Sequence, residues 1–313
     1  MNRTEYQKAA GDYINSLRRI KSRKTIENYR KVLLDFDSHL RYAKSEQIRR
    51  AEIETYRNAV VSRGASVNTA RQYIIDLSAF FGWCVRHNLI DETPVSENEI
   101  PDAEQIRYDL LSDDEITSLL TGFETKSKYH VRNTAIIVLL LQTCMRNAEI
   151  RALRLCDINF DDGYITVVNG KGNKLRYVPF PEQSRKAVTA YLNSGIRPRG
   201  LEATAPLFGT TSPKEYGSGK HEETGNPADW HELTSQSLNG IVKRYTRKHC
   251  GHEVHAHTIR HAGASKLDDM GVPMRDIQKI LGHSSIETTE QIYVTVLNRN
   301  KAAKSVKSAW DGE

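Results

Sequence analysis

Residues 135–150 read AIIVLLLQTCMRNAEI, an apolar stretch that runs directly into Arg146, with Glu149 three residues further on. A segment apolar on every side is either a helix buried all round or a membrane span. Spanning a bilayer takes roughly 20 such residues, and this run stops far short of that. It therefore predicts a buried helix over Ala135 to Gln142, with a charged residue delivered at its end. A packed domain must surround it.

The sequence on either side supplies the rest of that domain. Upstream, Ser112 followed by Glu115 forms a capping box before Ile116, Leu119 and Leu120, so a helix and a new domain begin near Leu111. Downstream, Gly163 to Val168 is rich in β-branched residues, GKGNK at 170–174 is a turn, and Leu175 to Pro179 returns as a partner strand. That pattern predicts an antiparallel hairpin with a projecting tip. Helical periodicity resumes over Arg185 to Leu192, Ser237 to His249, His257 to Met270, Arg275 to Leu281 and Ser285 to Val296. Residues 209–231 have no regular period and several breakers, which predicts a long surface loop.

The N-terminal third has a different character. Apolar residues recur at three and four positions over Tyr6 to Leu17, Thr25 to Leu40, Ile48 to Val61 and Asn68 to His87. Ser22 or Thr25 is placed to open the second of these helices. Four amphipathic helices with short connections predict a small bundle. Residues 1–90 hold 17 Lys or Arg against 9 Asp or Glu, whereas residues 91–124 hold 1 against 11. Two basic bodies thus flank an acidic stretch, and the prolines at 94 and 101 mark it as a linker. The expected organisation is a helical domain over 1–90, a linker over 91–107, an α+β domain over 108–296 and a basic tail over 297–313. The fold class is mainly α, with a small antiparallel β-hairpin or sheet in the second domain.

Locally concentrated positive charge attracts polyanions. Arg18, Arg19, Lys21, Arg23 and Lys24 form a run that reads either as solvated surface or as a DNA-facing rim. A membrane surface is the rival partner, and neither a spanning run nor an N-terminal apolar signal segment supports it. Cys84, Cys144, Cys156 and Cys250 contain no CxxC pair, so free and mostly buried thiols in a reducing, cytoplasmic setting are expected. His249, Cys250, His252, His255, His257 and His261 crowd one segment without paired zinc spacing, and no metal or other cofactor is expected.

Transferring a phosphodiester onto protein takes a nucleophile, cations around the nonbridging oxygens and a proton donor for the departing hydroxyl. Candidates for these roles lie in separate pieces. In TCMRNAEI, Arg146 can fork onto a phosphate while Glu149 holds it in position; R-x-x-E is also an ordinary surface pair. In NGKGNKLR, Lys171 stands at the hairpin tip, with Lys174 a local competitor; the segment lacks the phosphate-loop pattern of nucleotide binders. In HTIRH, His257 and Arg260 lie one turn apart on one helix face. LGHSS offers His283 beside a glycine, and QIYV offers Tyr293, whose phenol has a reference pKa near ~10 and needs activation. Taken singly, each piece has an ordinary structural explanation.

Together and in this order, these pieces resemble the tyrosine recombinase, or phage integrase, family, and the likeness extends over nearly the whole chain. It implies a helical core-binding domain followed by a catalytic domain. Arg146, Lys171, His257, Arg260 and His283 then take the family's catalytic positions, with Tyr293 as the nucleophile. Cys144 stands where the family's T-G-x-R-x-x-E segment has glycine. Tyr293 lies 10 residues beyond His283, one more than the family's usual spacing, and an insertion of one residue turns a rigid helix by about 100°.

The resemblance implies site-specific recombination of double-stranded DNA carrying paired inverted half-sites. A homotetramer would join two such sites, with an accessory DNA-bending protein as a further partner and no membrane involved. No arm-binding module ahead of the first helix is expected, and the likeness is to Xer-type and small mobile-element recombinases. Two alternatives accompany this reading. One is a catalytically silent DNA-binding architectural or regulatory protein, and the other is a type IB topoisomerase-like enzyme.

Overall fold

The computed structural model describes residues 1–43, 46–102, 111–121, 129–169, 174–211 and 226–282. The chain divides into two units, residues 1–107 and 108–313.

The first unit contains four helices, α1 (Arg3–Leu17), α2 (Arg23–Ala43), α3 (Arg50–Ser62) and α4 (Val67–Arg86). Each begins where a side chain can accept from an orphan amide or a first-turn acid can reach back. Asn2 Oδ1 accepts from the Glu5 amide at 3.0 Å while the Glu5 carboxylate accepts from the Asn2 amide at 2.8 Å. Ser22 and Ser66 accept from the Thr25 and Thr69 amides, both at 3.2 Å. The Glu52 carboxylate accepts from the Arg49 amide at 2.8 Å ahead of α3. Aromatic rings fill the centre: Phe36 meets Tyr56 edge-on at 5.0 Å and Phe80 meets Phe81 at 4.9 Å. The buried Tyr6 hydroxyl donates to the Leu33 carbonyl at 2.9 Å, so the ring is buried without an orphan polar group.

The segment expected as a linker begins as part of this unit. Val95 joins the apolar core, and a 3₁₀ turn at Glu97–Glu99 brings the buried Glu99 carboxylate onto Arg50. Apolar residues scattered at irregular intervals can cover a bundle without any periodicity to announce it.

The second unit opens with α5 (Asp113–Thr121), capped reciprocally by Ser112 and Glu115 as their spacing predicts. Next come α6 (His130–Thr143) and α7 (Asn147–Ala152), then strands β1 (Ile158–Asn159), β2 (Tyr164–Asn169) and β3 (Lys174–Pro179). α8 (Glu182–Asn193), β4 (Gly209–Thr210), β5 (His231–Glu232), α9 (Ser235–Cys250), α10 (Ala256–Asp269) and α11 (Met274–Leu281) complete the described elements. The apolar run lies in α6, whose residues 135–140 are fully buried between α8, α9 and α10. The expected fold class is borne out: a helical bundle, then a mainly helical domain with a small antiparallel sheet.

The hairpin forms as predicted, with Ile165 opposite Val178 and Val167 opposite Arg176. A third strand, β1, adds Ile158 opposite Ile165; two residues are too few for alternation to reveal. Residues 209–231 are not loop throughout, since Gly209 pairs with Glu232 and Thr210 with His231. Of the cysteines, Cys84 and Cys144 are buried, but Cys156 is exposed and Cys250 half-buried, so the expectation that most are buried does not hold. Cys156 sits in a short 3₁₀ turn ahead of β1, where no core reaches it. The 285–296 helix and the 297–313 tail lie outside the described residues.

Candidate active site

The end of α6 sets the geometry. Cys144 terminates the helix in the left-handed conformation, with φ 51° and ψ 27°, which turns the chain so that Arg146 precedes α7. A non-glycine residue pays roughly 1–2 kcal/mol for that conformation. The cysteine thiol is fully buried, which pushes its pKa up to about 12. Close contact with α10 holds the turn in place. A Cβ on Gly263 would lie 1.9 Å from the Leu141 carbonyl oxygen, so only glycine lets α10 approach α6 this closely.

That approach brings Arg260 of α10 to the turn. Arg260 is 1% exposed, and its guanidinium donates to the Cys144 carbonyl at 2.6 Å and to the Leu281 carbonyl at 2.8 Å. Arg146 reaches the same place from the other side, donating to the Gly282 carbonyl at 2.8 Å and to Glu149 at 2.9 Å. Two arginines more than a hundred residues apart in sequence thus grip successive carbonyls at the C-terminal end of α11. That end carries negative partial charge, so cations are favoured there.

Glu149 sits between cations. Its carboxylate accepts from the Arg146 amide at 2.8 Å and takes a two-pronged pair from Arg176 at 2.8 and 2.6 Å. Burial alone would raise its pKa. The Arg176 and Arg146 hydrogen bonds and the Arg176 charge outweigh burial and hold it at about 2. The pKa of Arg260 is lowered too, to about 10, but here burial and the neighbouring Arg146 charge disfavour the charged form. His257, one turn before Arg260, is also lowered, first by burial and then by the charges of Arg260 and Arg146. Its ring meets that of His261 edge-on at 4.2 Å. A neutral imidazole beside two guanidiniums is suited to accepting or relaying a proton at an anionic oxygen.

Of the residues singled out from sequence, Arg146, His257 and Arg260 are brought together. Lys171, His283 and Tyr293 lie outside the described residues. In sequence Lys171 lies between β2 and β3, and His283 directly follows Gly282. Sequence reasoning missed Arg176. The signal was available, because alternation along β3 puts Arg176 on the inward side with Val178, an unusual place for a charge. The histidine-rich segment is accounted for by separate contacts, His249 against the Tyr245 ring and His252 beside Glu115. Among the described residues no three His, Cys, Asp or Glu side chains converge as a metal-ligand group. Nor, among them, is any helix long and apolar enough to cross a membrane.

Comparison with known proteins identifies the family and the fold. Residues 109–299 match the phage integrase family and residues 11–88 match the phage integrase N-terminal SAM-like domain. Tyrosine recombinase XerC of Bacillus subtilis is 28% identical over 88% of this chain and 86% of its own length. A tyrosine recombinase of Thermosipho africanus is 28% identical over 93% of this chain and 94% of its own. Among solved structures, the Tn1549 transposon integrase in complex with a circular intermediate DNA superposes with a TM-score of 0.71 at 17% identity, over 91% of this chain and 93% of that one. XerH bound to a palindromic difH substrate gives 0.70 at 21% identity, over 90% and 79%. The structural likenesses establish the fold.

The chain belongs to the phage integrase family of tyrosine recombinases. It is an enzyme of site-specific DNA recombination, cleaving and rejoining strands through a phosphotyrosyl intermediate.

Proposed function

We propose that Arg146, Arg260 and His257 surround the scissile phosphate and that Tyr293 is the nucleophile. The Tyr293 phenol gives up its proton to solvent as its oxygen attacks phosphorus, the bond to the 5′ oxygen breaks, and a 3′-phosphotyrosyl link replaces it. Lys171 gives its proton to the departing 5′ oxygen, and His283 orients the phosphate. A 5′ hydroxyl from a partner strand reverses the step, so bond energy is conserved without ATP. The observation that supports this most directly is the convergence of Arg146 and Arg260 on the carbonyls of Leu281 and Gly282, immediately ahead of His283. Charge developing on the phosphate oxygens would meet fixed guanidiniums, the most effective form of transition-state stabilisation.

Residues 1–90, with Val95 and Glu99 packed onto them, serve as the core-binding domain, the rest of the segment up to 107 as a linker, 108–296 as the catalytic domain and 297–313 as an intersubunit tail. The enzyme works in the cytoplasm as a homotetramer on two DNA sites with inverted half-sites, assisted where needed by a DNA-bending protein. The net charge of residues 1–90 favours this use of the first domain. If the tail joins subunits, deleting residues 300–313 weakens assembly more than binding to one half-site. Equal loss of both rejects that role.

The division of labour is tested with a suicide duplex whose scissile 5′ oxygen is replaced by sulfur. A thiolate leaves without a proton, so Lys171→Ala should cleave this substrate nearly as fast as the wild type while failing on ordinary DNA. Arg146→Ala and Arg260→Ala should fail on both. An Lys171→Ala enzyme equally slow on the two substrates removes Lys171 from the acid role.

A further inference from the structure

Arg176 makes three hydrogen bonds that join two parts of the site. Two of its nitrogens hold both oxygens of Glu149, the residue that in turn holds Arg146. The third, Nε, donates to the Ile280 carbonyl at 2.9 Å. The side chain lies flat against Gly282, where an added Cβ would stand 3.0 Å from both Cδ and Nε. Gly282 also has φ +61°, the left-handed region, so glycine is required there twice over, by backbone conformation and by the guanidinium beside it.

The carbonyls of Ile280, Leu281 and Gly282 are thus taken, in order, by Arg176, Arg260 and Arg146. Two of those arginines are candidates for contact with the phosphate. All three nitrogens of Arg176 donate within the protein, two of them to the Glu149 carboxylate that holds Arg146, which suits it to hold other groups. It is carried by β3, which begins three residues after Lys171 in sequence.

We infer that Arg176 is a positioning residue for strand cleavage: it fixes the Arg146 guanidinium through Glu149 and ties the hairpin strand to the end of α11 from which His283 follows. This role rests on the assignment of Arg146 to the phosphate. A guanidinium is needed because three donors in one plane serve a carboxylate and a carbonyl together, which an ammonium cannot reproduce.

The test is single-turnover cleavage of a nicked suicide duplex bearing the protein's own site, read beside half-site affinity and thermal unfolding. Arg176→Lys should lower the cleavage rate at least tenfold while affinity changes less than threefold. Arg176→Met paired with Glu149→Gln removes both charges and controls for the unpaired carboxylate; it too should bind and cleave slowly. In an Arg146→Lys background, Arg176→Lys should add little further loss, since both act on one guanidinium.

Normal cleavage by Arg176→Lys overturns the inference. So does a loss that multiplies fully with that of Arg146→Lys, or one that only follows affinity and melting temperature. Failure of the underlying assignment looks different: Arg146→Lys itself then cleaves like the wild type, and the positioning role falls with it.

Discussion

Arg176 and Glu149 form a two-pronged ion pair between a strand and a helix, with side chains only 11% and 9% exposed. A pair so withdrawn from water gains little net stability, but breaking it leaves a charge stranded, at a cost of about 3–5 kcal/mol. The native carboxylate pKa of about 2 lies below its ordinary 4.5, which corresponds to about 3 kcal/mol. Because the folded value is the depressed one, this contribution is complete above about pH 4.5 and disappears as pH falls toward about 2.

Glu149→Gln should therefore be less stable than the wild type by about 3 kcal/mol at pH 7. In urea unfolding followed from pH 7 to pH 3, the gap should stay constant down to about pH 5 and then narrow. A gap independent of pH would show that Glu149 is not held as a carboxylate by its arginines.

Gly263→Ala should be among the most damaging single-methyl changes in the catalytic unit. The new carbon would stand 1.9 Å from the Leu141 oxygen, so α10 must move away from α6. Overpacking of this kind costs about 1–3 kcal/mol. Since α10 carries His257 and Arg260, cleavage should fall further than stability alone accounts for. Retained cleavage with wild-type unfolding would mean the helices have room that the structure denies them.

Cys144 sets two opposing effects against each other. Replacement by glycine relieves roughly 1–2 kcal/mol of left-handed backbone strain and forfeits burial of a small side chain worth about 1 kcal/mol. Unfolding of Cys144→Gly should therefore stay within about 1 kcal/mol of the wild type. Cys144→Val adds β-branching to the same φ of 51° and should lose about 2 kcal/mol or more. Equal stability of the two variants would contradict the strain.

His257 should titrate below its ordinary 6.5, from burial and from the Arg260 and Arg146 charges. The neutral form is the one the fold prefers. Its contribution to stability is present above pH 6.5 and lost as pH falls through the lowered value. Removing one neighbouring charge in Arg146→Gln should move the imidazole titration upward by NMR. An unchanged titration would place Arg146 too far from His257 to share a phosphate with it.

Much of this architecture is legible in the sequence because its elements have strong periods or exact caps. The α6 run admits only a buried helix, and Ser112 with Glu115 marks the start of α5. The alternation over 164–179 yields the hairpin because β-branched residues surround a glycine turn. Strand β1 is hidden because two residues have no period, and the pairing of β4 with β5 because its partners are separated by an irregular segment. Arg176 escaped notice for a different reason. Motif reading looks for residues that meet the substrate, whereas Arg176 meets Glu149 and a helix terminus, contacts that exist only once β3, α7 and α11 are assembled. Its inward register on β3 was the available clue.

The proposed cleavage step depends most on Tyr293, which the spacing after His283 places one residue beyond the family's usual position. The direct measurement is covalent trapping on a nicked suicide duplex carrying the native site, with the adduct digested and the modified peptide mapped by mass spectrometry. A DNA-linked peptide containing Tyr293, absent from Tyr293→Phe, is the result expected here. An adduct on another tyrosine, or one that survives Tyr293→Phe, would contradict it.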